Sequence, residues 1–353
     1  MRVLFIPSWF PSSSNPYAGN FIRRLAEDLS EKEIKICVLN FDYNHTKITT
    51  RKHEKQVINK NLIVHRFYGF HIPKANTYTQ NKWIKSCIDM SDKIISDWDF
   101  DYVHSHDYVG SFVGAEIAKK KDIKHIISLH HSNFIERTIK EWRVEILKDT
   151  FKSAYKIITP STEFTKTINQ DYEVNADTIP HYIYWNLYLK NESHKEIKAL
   201  SITSTEKVKN NKGLIDFCEK NNIEIDIYGD IEKKLIKTVP KNVTLQGKTP
   251  FENLQKRYKE YTFLISFSTI ETFGLSILEA LSHGLPVLVK NKTGGLDLID
   301  KTNGKFIDEN FNFNDFISNL SNYNSENISK EIVAKFNKEK VLNKYLDLYD
   351  SFS

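Results

Sequence analysis

Residues 261–295 read YTFLISFSTIETFGLSILEALSHGLPVLVKNKTGG. The run from Phe263 to Phe267 is apolar on both faces, which predicts a strand buried in a parallel sheet. Ser268 and Thr269 turn the chain, and Glu271 precedes Thr272-Phe273-Gly274. From Leu275 the spacing becomes helical, with Leu275, Leu278 and Leu281 on one side. His283-Gly284 closes that helix, and Pro286 opens a strand over Val287-Leu288-Val289. The turn therefore falls at the carboxyl end of a strand, where open α/β sheets take their ligands. Glu271 stands before the helix and Glu279 within it. Gly274 permits close backbone approach, and a helix start offers amides and a positive dipole end suited to phosphate. Carboxylates suit the hydroxyls of a sugar or ribose. The combination points to a nucleotide sugar, although an ordinary βα unit with two surface glutamates has the same spacing.

The run from Glu271 to Glu279, ETFGLSILE, continues as ALSHGLPV and resembles the E-x7-E signature of family 4 retaining glycosyltransferases. The likeness extends to Thr293-Gly294-Gly295 and Asn303-Gly304-Lys305-Phe306. The resemblance implies the α/β GT-B fold: two Rossmann-like domains whose parallel sheets face each other across a cleft. It also implies that the amides of Phe273, Gly274 and Leu275 place sugar and phosphate. Glu271 would accept from sugar hydroxyls as a catalytic residue, and Glu279 would hold the ribose.

At 353 residues the chain is too long for one small core, so two domains are expected. The net charge of +5 comes wholly from the first 175 residues, where Lys and Arg number 26 against 21 Asp and Glu. That bias suits an anionic lipid surface or a phosphorylated acceptor, yet it is too weak for nucleic-acid binding, and no aromatic-basic motif supports one. A well-mixed solvated surface is the simpler explanation of the two. No stretch is long and apolar enough to span a membrane, and the first strand is too short for a signal peptide. Cys37, Cys87 and Cys218 are far apart and lack metal spacing, as reduced core residues of a cytoplasmic protein would be.

In the first half, Arg2–Pro7 is a short strand, followed by a turn-rich loop and a helix from about Phe21 to Glu31. The stretch PSWFP…NPYAGNF resembles the opening of many family 4 transferases, where this loop faces the acceptor; Gly19 and Asn20 are carried over on that basis, against a purely structural turn. Strands are expected at Ile34–Leu39 and Leu62–Phe67. The region from Ile72 to Trp83 shows no readable pattern, and Tyr78 and Trp83 serve either as packing or as platforms for a sugar. Trp98 to Asp107 resembles a family strand and turn that place His106 on the acceptor side. Lys124 to Asn133 resembles the element whose histidine, here His130, approaches the donor sugar near the bond that breaks; a helix cap or metal ligand is the alternative. Ser161 is placed to cap a helix near Glu163. His181 and Tyr182 stand where the family has Asn-Gly, and no role is assigned to them.

A linker is expected at 186–198, between an acceptor-side domain at 1–185 and a nucleotide-sugar domain at 199–331. A terminal helix at 332–353 would pack back on the first domain. After the strand Ala199–Thr203 come three lysines, Lys207, Lys209 and Lys212, before Gly213. The family places an Arg and a Lys five apart here, so Lys207 and Lys212 are assigned to the donor's phosphates, Lys207 without the planar two-pronged contact of arginine. Gly229 and Lys248, at two later strand ends, are assigned to the nucleotide side.

The expected function is hexosyl transfer from a UDP- or GDP-sugar to a glycan or lipid-linked acceptor, with retention, without metal or cofactor, in bacterial surface glycan assembly. Peripheral contact with the inner membrane surface is compatible with it. Two alternatives are an epimerase of UDP-N-acetylhexosamines, which shares the architecture, and a non-catalytic subunit on the same fold.

Overall fold

The computed structural model describes residues 1–12, 15–42, 52–68, 76–185, 187, 196–236, 239–290 and 294–350. The chain divides into two compact units, Met1–Pro160 with Thr165–Ile179, and Ser161–Phe164 with Pro180–Ser353.

The first unit runs β1 (Arg2–Pro7), α1 (Asn20–Glu31), β2 (Lys35–Asp42), β3 (Lys52–Asn59), β4 (Leu62–Tyr68), α2 (Thr77–Asp97), β5 (Tyr102–His106) and α3 (Asp107–Lys121). It continues through β6 (Lys124–Ser128), α4 (Asn133–Glu136), α5 (Glu141–Ser153), β7 (Lys156–Thr159), α6 (Thr162–Tyr172, its first residues in the other unit) and β8 (Ala176–Thr178). The strands pair in the order β3-β4-β2-β1-β5-β6-β7-β8, parallel except for the antiparallel β3–β4 pair. Val3 to Ile6 and Ile36 to Leu39 are fully buried, as continuous apolar strands covered on both faces must be. β1 has β2 on one side and β5 on the other, so the winding reverses there. Pro7 pairs with His106 at the carboxyl end of that seam.

The second unit contains β9 (Ala199–Thr203), α7 (Asn211–Lys220), β10 (Ile225–Gly229), α8 (Lys233–Ile236), β11 (Val243–Gly247), α9 (Phe251–Arg257) and β12 (Phe263–Ser266). Then follow α10 (Leu275–Ser282), β13 (Val287–Val289), β14 (Gly304–Phe306), α11 (Phe313–Ser318), α12 (Ser325–Lys335) and α13 (Lys338–Asp350). Its six strands are all parallel, in the order β11-β10-β9-β12-β13-β14. Here the winding reverses between β9 and β12, and open α/β sheets bind ligands outside the carboxyl ends of strands at such a point. Both units have the parallel-sheet α/β architecture of GT-B proteins.

Several expectations change. The irregular region opens into α2: residues 72–75 lie outside the described ones, but Asn76 accepts from the Thr79 amide at 3.0 Å while the Thr79 hydroxyl accepts from the Asn76 amide at 2.8 Å. That reciprocal cap starts a helix of 21 residues. The chain from Pro180 onward belongs to the second unit, because Ile183 and Trp185 are buried in that unit's core and the Ile183 amide bonds to the Phe336 carbonyl at 3.0 Å. Of the expected linker, residues 186 and 188–195 lie outside the described ones. The expected terminal helix is two helices, α12 and α13, with Phe336 and Asn337 between them, and both are grouped with the second unit. The three cysteines are free and buried. Among the described residues no helix is long and apolar enough to cross a membrane.

Candidate active site

Two loops leave the switch point of the second sheet, one from β9 and one from β12. The first makes a short 3-10 turn over Lys207–Lys209 and enters α7 through Asn210, whose φ is +47° and whose side chain accepts from the Gly213 amide at 3.3 Å. The second runs from Ser268 to Gly274. They are tied together at two points. The Thr269 amide donates to the Val208 carbonyl at 2.7 Å, and the Lys209 ammonium meets Glu271 Oε1 at 2.8 Å. The two charged side chains are 22% and 12% exposed. Burial pulls the Lys209 ammonium toward a lower pKa, but the Glu271 carboxylate outweighs it and holds the group above its ordinary value.

Gly274 precedes α10 with φ +93°, a conformation that L side chains rarely adopt. Its carbonyl accepts the first intrahelical bonds, from Ile277 and Leu278, each at 3.0 Å, so the amides of Leu275 and Ser276 lie ahead of them at the helix mouth. Gly294 closes over the same turn. Its amide donates to the Glu271 carbonyl at 2.8 Å, and a Cβ there would come within 2.5 Å of the Phe273 nitrogen. The Ser161 hydroxyl, at the start of α6, donates to the Thr272 carbonyl at 2.6 Å. The Phe273 side chain is core: 1% exposed, with the rings of His181 and Phe336 at 5.1 and 5.6 Å. One turn along α10, Glu279 accepts from the Tyr258 hydroxyl at 2.8 Å. Burial pushes the Glu279 carboxyl up to about 7, against a smaller downward pull from that bond.

The first unit assembles its own cluster at the carboxyl ends of β1, β5 and β6. Gly19 caps α1 in a left-handed conformation with the Trp9 carbonyl against it, and Asn20 beside it is exposed. His106 is fully buried, and its Nδ1 lies 3.4 Å from His130 Nε2 with the rings nearly parallel. Phe21 covers His130 edge-on at 4.7 Å. Asp107, at φ +67°, accepts from the amides of Tyr108 at 2.7 Å and His130 at 3.1 Å, which fixes the backbone that carries His130. Burial raises the Asp107 carboxyl above its usual range.

Two family models match most of the chain: Glycosyltransferase Family 4 over residues 18–183 and Glycosyl transferases group 1 over residues 189–340. The chain belongs to the family 4 glycosyltransferases. A relative described as an uncharacterized glycosyltransferase, from Methanocaldococcus jannaschii, is 24% identical over 100% of this chain and 99% of its own. Among solved structures, sucrose-phosphate synthase from Thermosynechococcus elongatus superposes with a TM-score of 0.81 at 15% identity, covering 99% of this chain and 98% of that one. Anabaena HepE in complex with UDP and glucose superposes at 0.74 and 14% identity, over 99% of both chains. These likenesses establish the GT-B fold of the transferase.

Within the second unit, the expected residues Glu271, Phe273, Gly274 and Leu275 share one turn, and Glu279 follows on its helix. The expected cations are arranged differently. Lys212 pairs on the surface with Asp216 at 2.6 Å, Lys248 pairs with Asp230 at 2.6 Å, and Lys207 is exposed. Gly229 ends β10 beside Thr203. The cation that reaches Glu271 is Lys209, which matching to the family's spacing passes over. Its one available signal was membership of the three-lysine run. In the first unit His106 and His130 do meet, and Asp107 accepts from the backbone amide of His130. Among the described residues no three His, Cys, Asp or Glu side chains gather as a metal site needs.

Proposed function

We propose that this glycosyltransferase moves a hexose-type sugar from a UDP- or GDP-sugar to a glycan or lipid-linked acceptor, with retention of anomeric configuration and without a metal ion. The observation that carries the reading is the Glu271–Gly274 turn, set at the switch point of the second sheet and leading directly into α10. A diphosphate at the mouth of α10 meets the amides of Leu275 and Ser276 and the helix dipole. Glu271, four residues before Leu275, accepts from sugar hydroxyls, and Glu279 takes the ribose. As the sugar–phosphate bond breaks, charge grows on the β-phosphate, and donors fixed there beforehand stabilise it. The acceptor hydroxyl attacks the face the phosphate leaves, and that phosphate takes its proton. No protein nucleophile takes part.

On the acceptor side, Gly19, Asn20 and His106 contribute to the surface that receives the acceptor, while His130 steadies the transferred sugar. The complex of Anabaena HepE with UDP and glucose favours a UDP-linked hexose as the donor. A site of action at the inner face of an anionic membrane, in surface polysaccharide assembly, is compatible with the basic excess of the first 175 residues. The test is a panel of UDP- and GDP-hexoses, screened first by thermal stabilisation and then with glycan acceptors in EDTA. A product whose new bond keeps the donor's anomeric configuration by NMR is expected. An inverted product, or turnover abolished by EDTA and restored by a divalent metal, overturns the corresponding part of the proposal.

A further inference from the structure

We propose that Lys209 is the cation that grips the donor's diphosphate, and that the Glu271 carboxylate holds it in place until the donor arrives. The inference rests on the reading of the second unit as the nucleotide-sugar site. Of the three lysines on the β9–α7 loop, Lys207 is exposed and Lys212 sits in an exposed pair with Asp216. Such surface pairs contribute little and give up their partners readily. Lys209 alone is largely enclosed, and it lies 2.8 Å from Glu271 where the loops from β9 and β12 meet. An enclosed ammonium needs an anion. In the ligand-free protein that anion is Glu271.

A diphosphate at the mouth of α10 brings a stronger anion to the same turn. The ammonium then changes partner from carboxylate to phosphate oxygen, charge for charge. Glu271 is released in the same movement and becomes available to sugar hydroxyls. Phosphate binding and the freeing of Glu271 are thus one event: the carboxylate competes with the nucleotide for Lys209, and the nucleotide prepares the carboxylate for the sugar. The departure at Lys207, where the family carries arginine, is answered two residues further along. Val208 lies between them, its carbonyl tied to Thr269, and this fixes the turn that presents Lys209 inward.

The experiment compares wild type, Lys209→Met, Glu271→Gln and the double variant by calorimetric titration with UDP and with uridine, and in parallel with GDP and guanosine. The readout is the ratio of nucleoside to diphosphate dissociation constants, which a merely structural role leaves unchanged. In Lys209→Met the ratio is expected to fall at least tenfold with nucleoside affinity intact. In Glu271→Gln, which removes the competitor, UDP or GDP should bind about three- to tenfold tighter than in wild type, and this gain should vanish in the double variant. A ratio unchanged in Lys209→Met, or a Glu271→Gln variant that binds the diphosphate no tighter, overturns the inference alone. Wild type that binds neither diphosphate overturns the nucleotide-sugar reading and the inference with it.

Discussion

The hydroxyl of Tyr258 donates to the carboxylate of Glu279 at 2.8 Å, in a setting where burial pushes that carboxyl up to about 7. A carboxyl whose folded pKa lies above its unfolded value stabilises the fold in its protonated form. The contribution is complete below about pH 4.5 and is lost as pH rises to about 7 and beyond. A shift of this size corresponds to about 3 kcal/mol. Ligand-free wild type should therefore lose more stability between pH 5 and pH 8 than Glu279→Gln, measured by urea unfolding at both values. Equal losses in the two proteins would place the carboxyl's titration elsewhere.

The same group gives the nucleotide a pH dependence of the opposite sense. A ribose hydroxyl donates best to the ionised carboxylate, so affinity should weaken as pH falls through about 7. At pH 6 roughly a tenth of the carboxylate is charged, and UDP or GDP should bind several-fold more weakly than at pH 8. Because the nucleotide's own phosphate also titrates in this range, Glu279→Gln is the control. Its affinity should be lower at pH 8 and follow only the phosphate. Parallel pH profiles for the two proteins would remove Glu279 from the ribose.

Removing Glu271 should cost stability as well as activity. The Glu271→Ala change leaves the largely enclosed Lys209 ammonium without its closest anion, at about 1–3 kcal/mol. Adding Lys209→Met should return part of that loss. Denaturant midpoints for the two singles and the double measure the coupling. A Glu271→Ala midpoint equal to that of wild type would show the pair to be energetically idle.

How much of this could be read from the sequence depended on how local each signal was. Glu271, Gly274 and α10 were legible because strand, turn and helix start follow one another within a dozen residues, each with its own residue chemistry. Lys209 was not, since what separates it from Lys207 and Lys212 is its enclosure. That enclosure comes from Thr269 and Glu271, some sixty positions later in the chain. The stretch from Tyr182 to Trp185 reads as the end of the first domain because polar residues follow it closely, yet Trp185 donates to the Ser282 hydroxyl at 2.9 Å and belongs to the core beneath α10 of the second unit. Asn76 and Thr79 show the reverse case. Their reciprocal cap was present in the sequence and announces α2 despite the weak apolar pattern that follows.

Phe273 separates core from site within the signature itself. Its ring is 1% exposed between His181 and Phe336, so Phe273→Ala should destabilise by about 3–5 kcal/mol, and Phe273→Leu by about 1–2. Since the sequence suggested a ligand-facing turn, the discriminating measurement is stability rather than turnover. A Phe273→Ala protein that unfolds with wild type, yet fails in transfer, would turn the side chain toward the ligand.

Gly294 gives the complementary case, in which activity should fall further than stability. Its backbone rests on the Glu271–Gly274 turn: a Cβ would lie 2.5 Å from the Phe273 nitrogen, 2.6 Å from the Thr272 carbonyl carbon and 2.7 Å from the Glu271 carbonyl oxygen. All three contacts are backbone, so no side chain can swing aside, and the turn itself must shift. The shift moves Glu271 and the entrance to α10 together, away from the positions that sugar and phosphate require. Displacements near 1 Å at a reacting centre cost on the order of a hundredfold. Gly294→Ala should therefore fold, with a modest fall in Tm, while kcat/KM drops about a hundredfold. Full activity in this variant would mean that the turn gives way without consequence, and the reaction would have to be sought elsewhere than at Glu271.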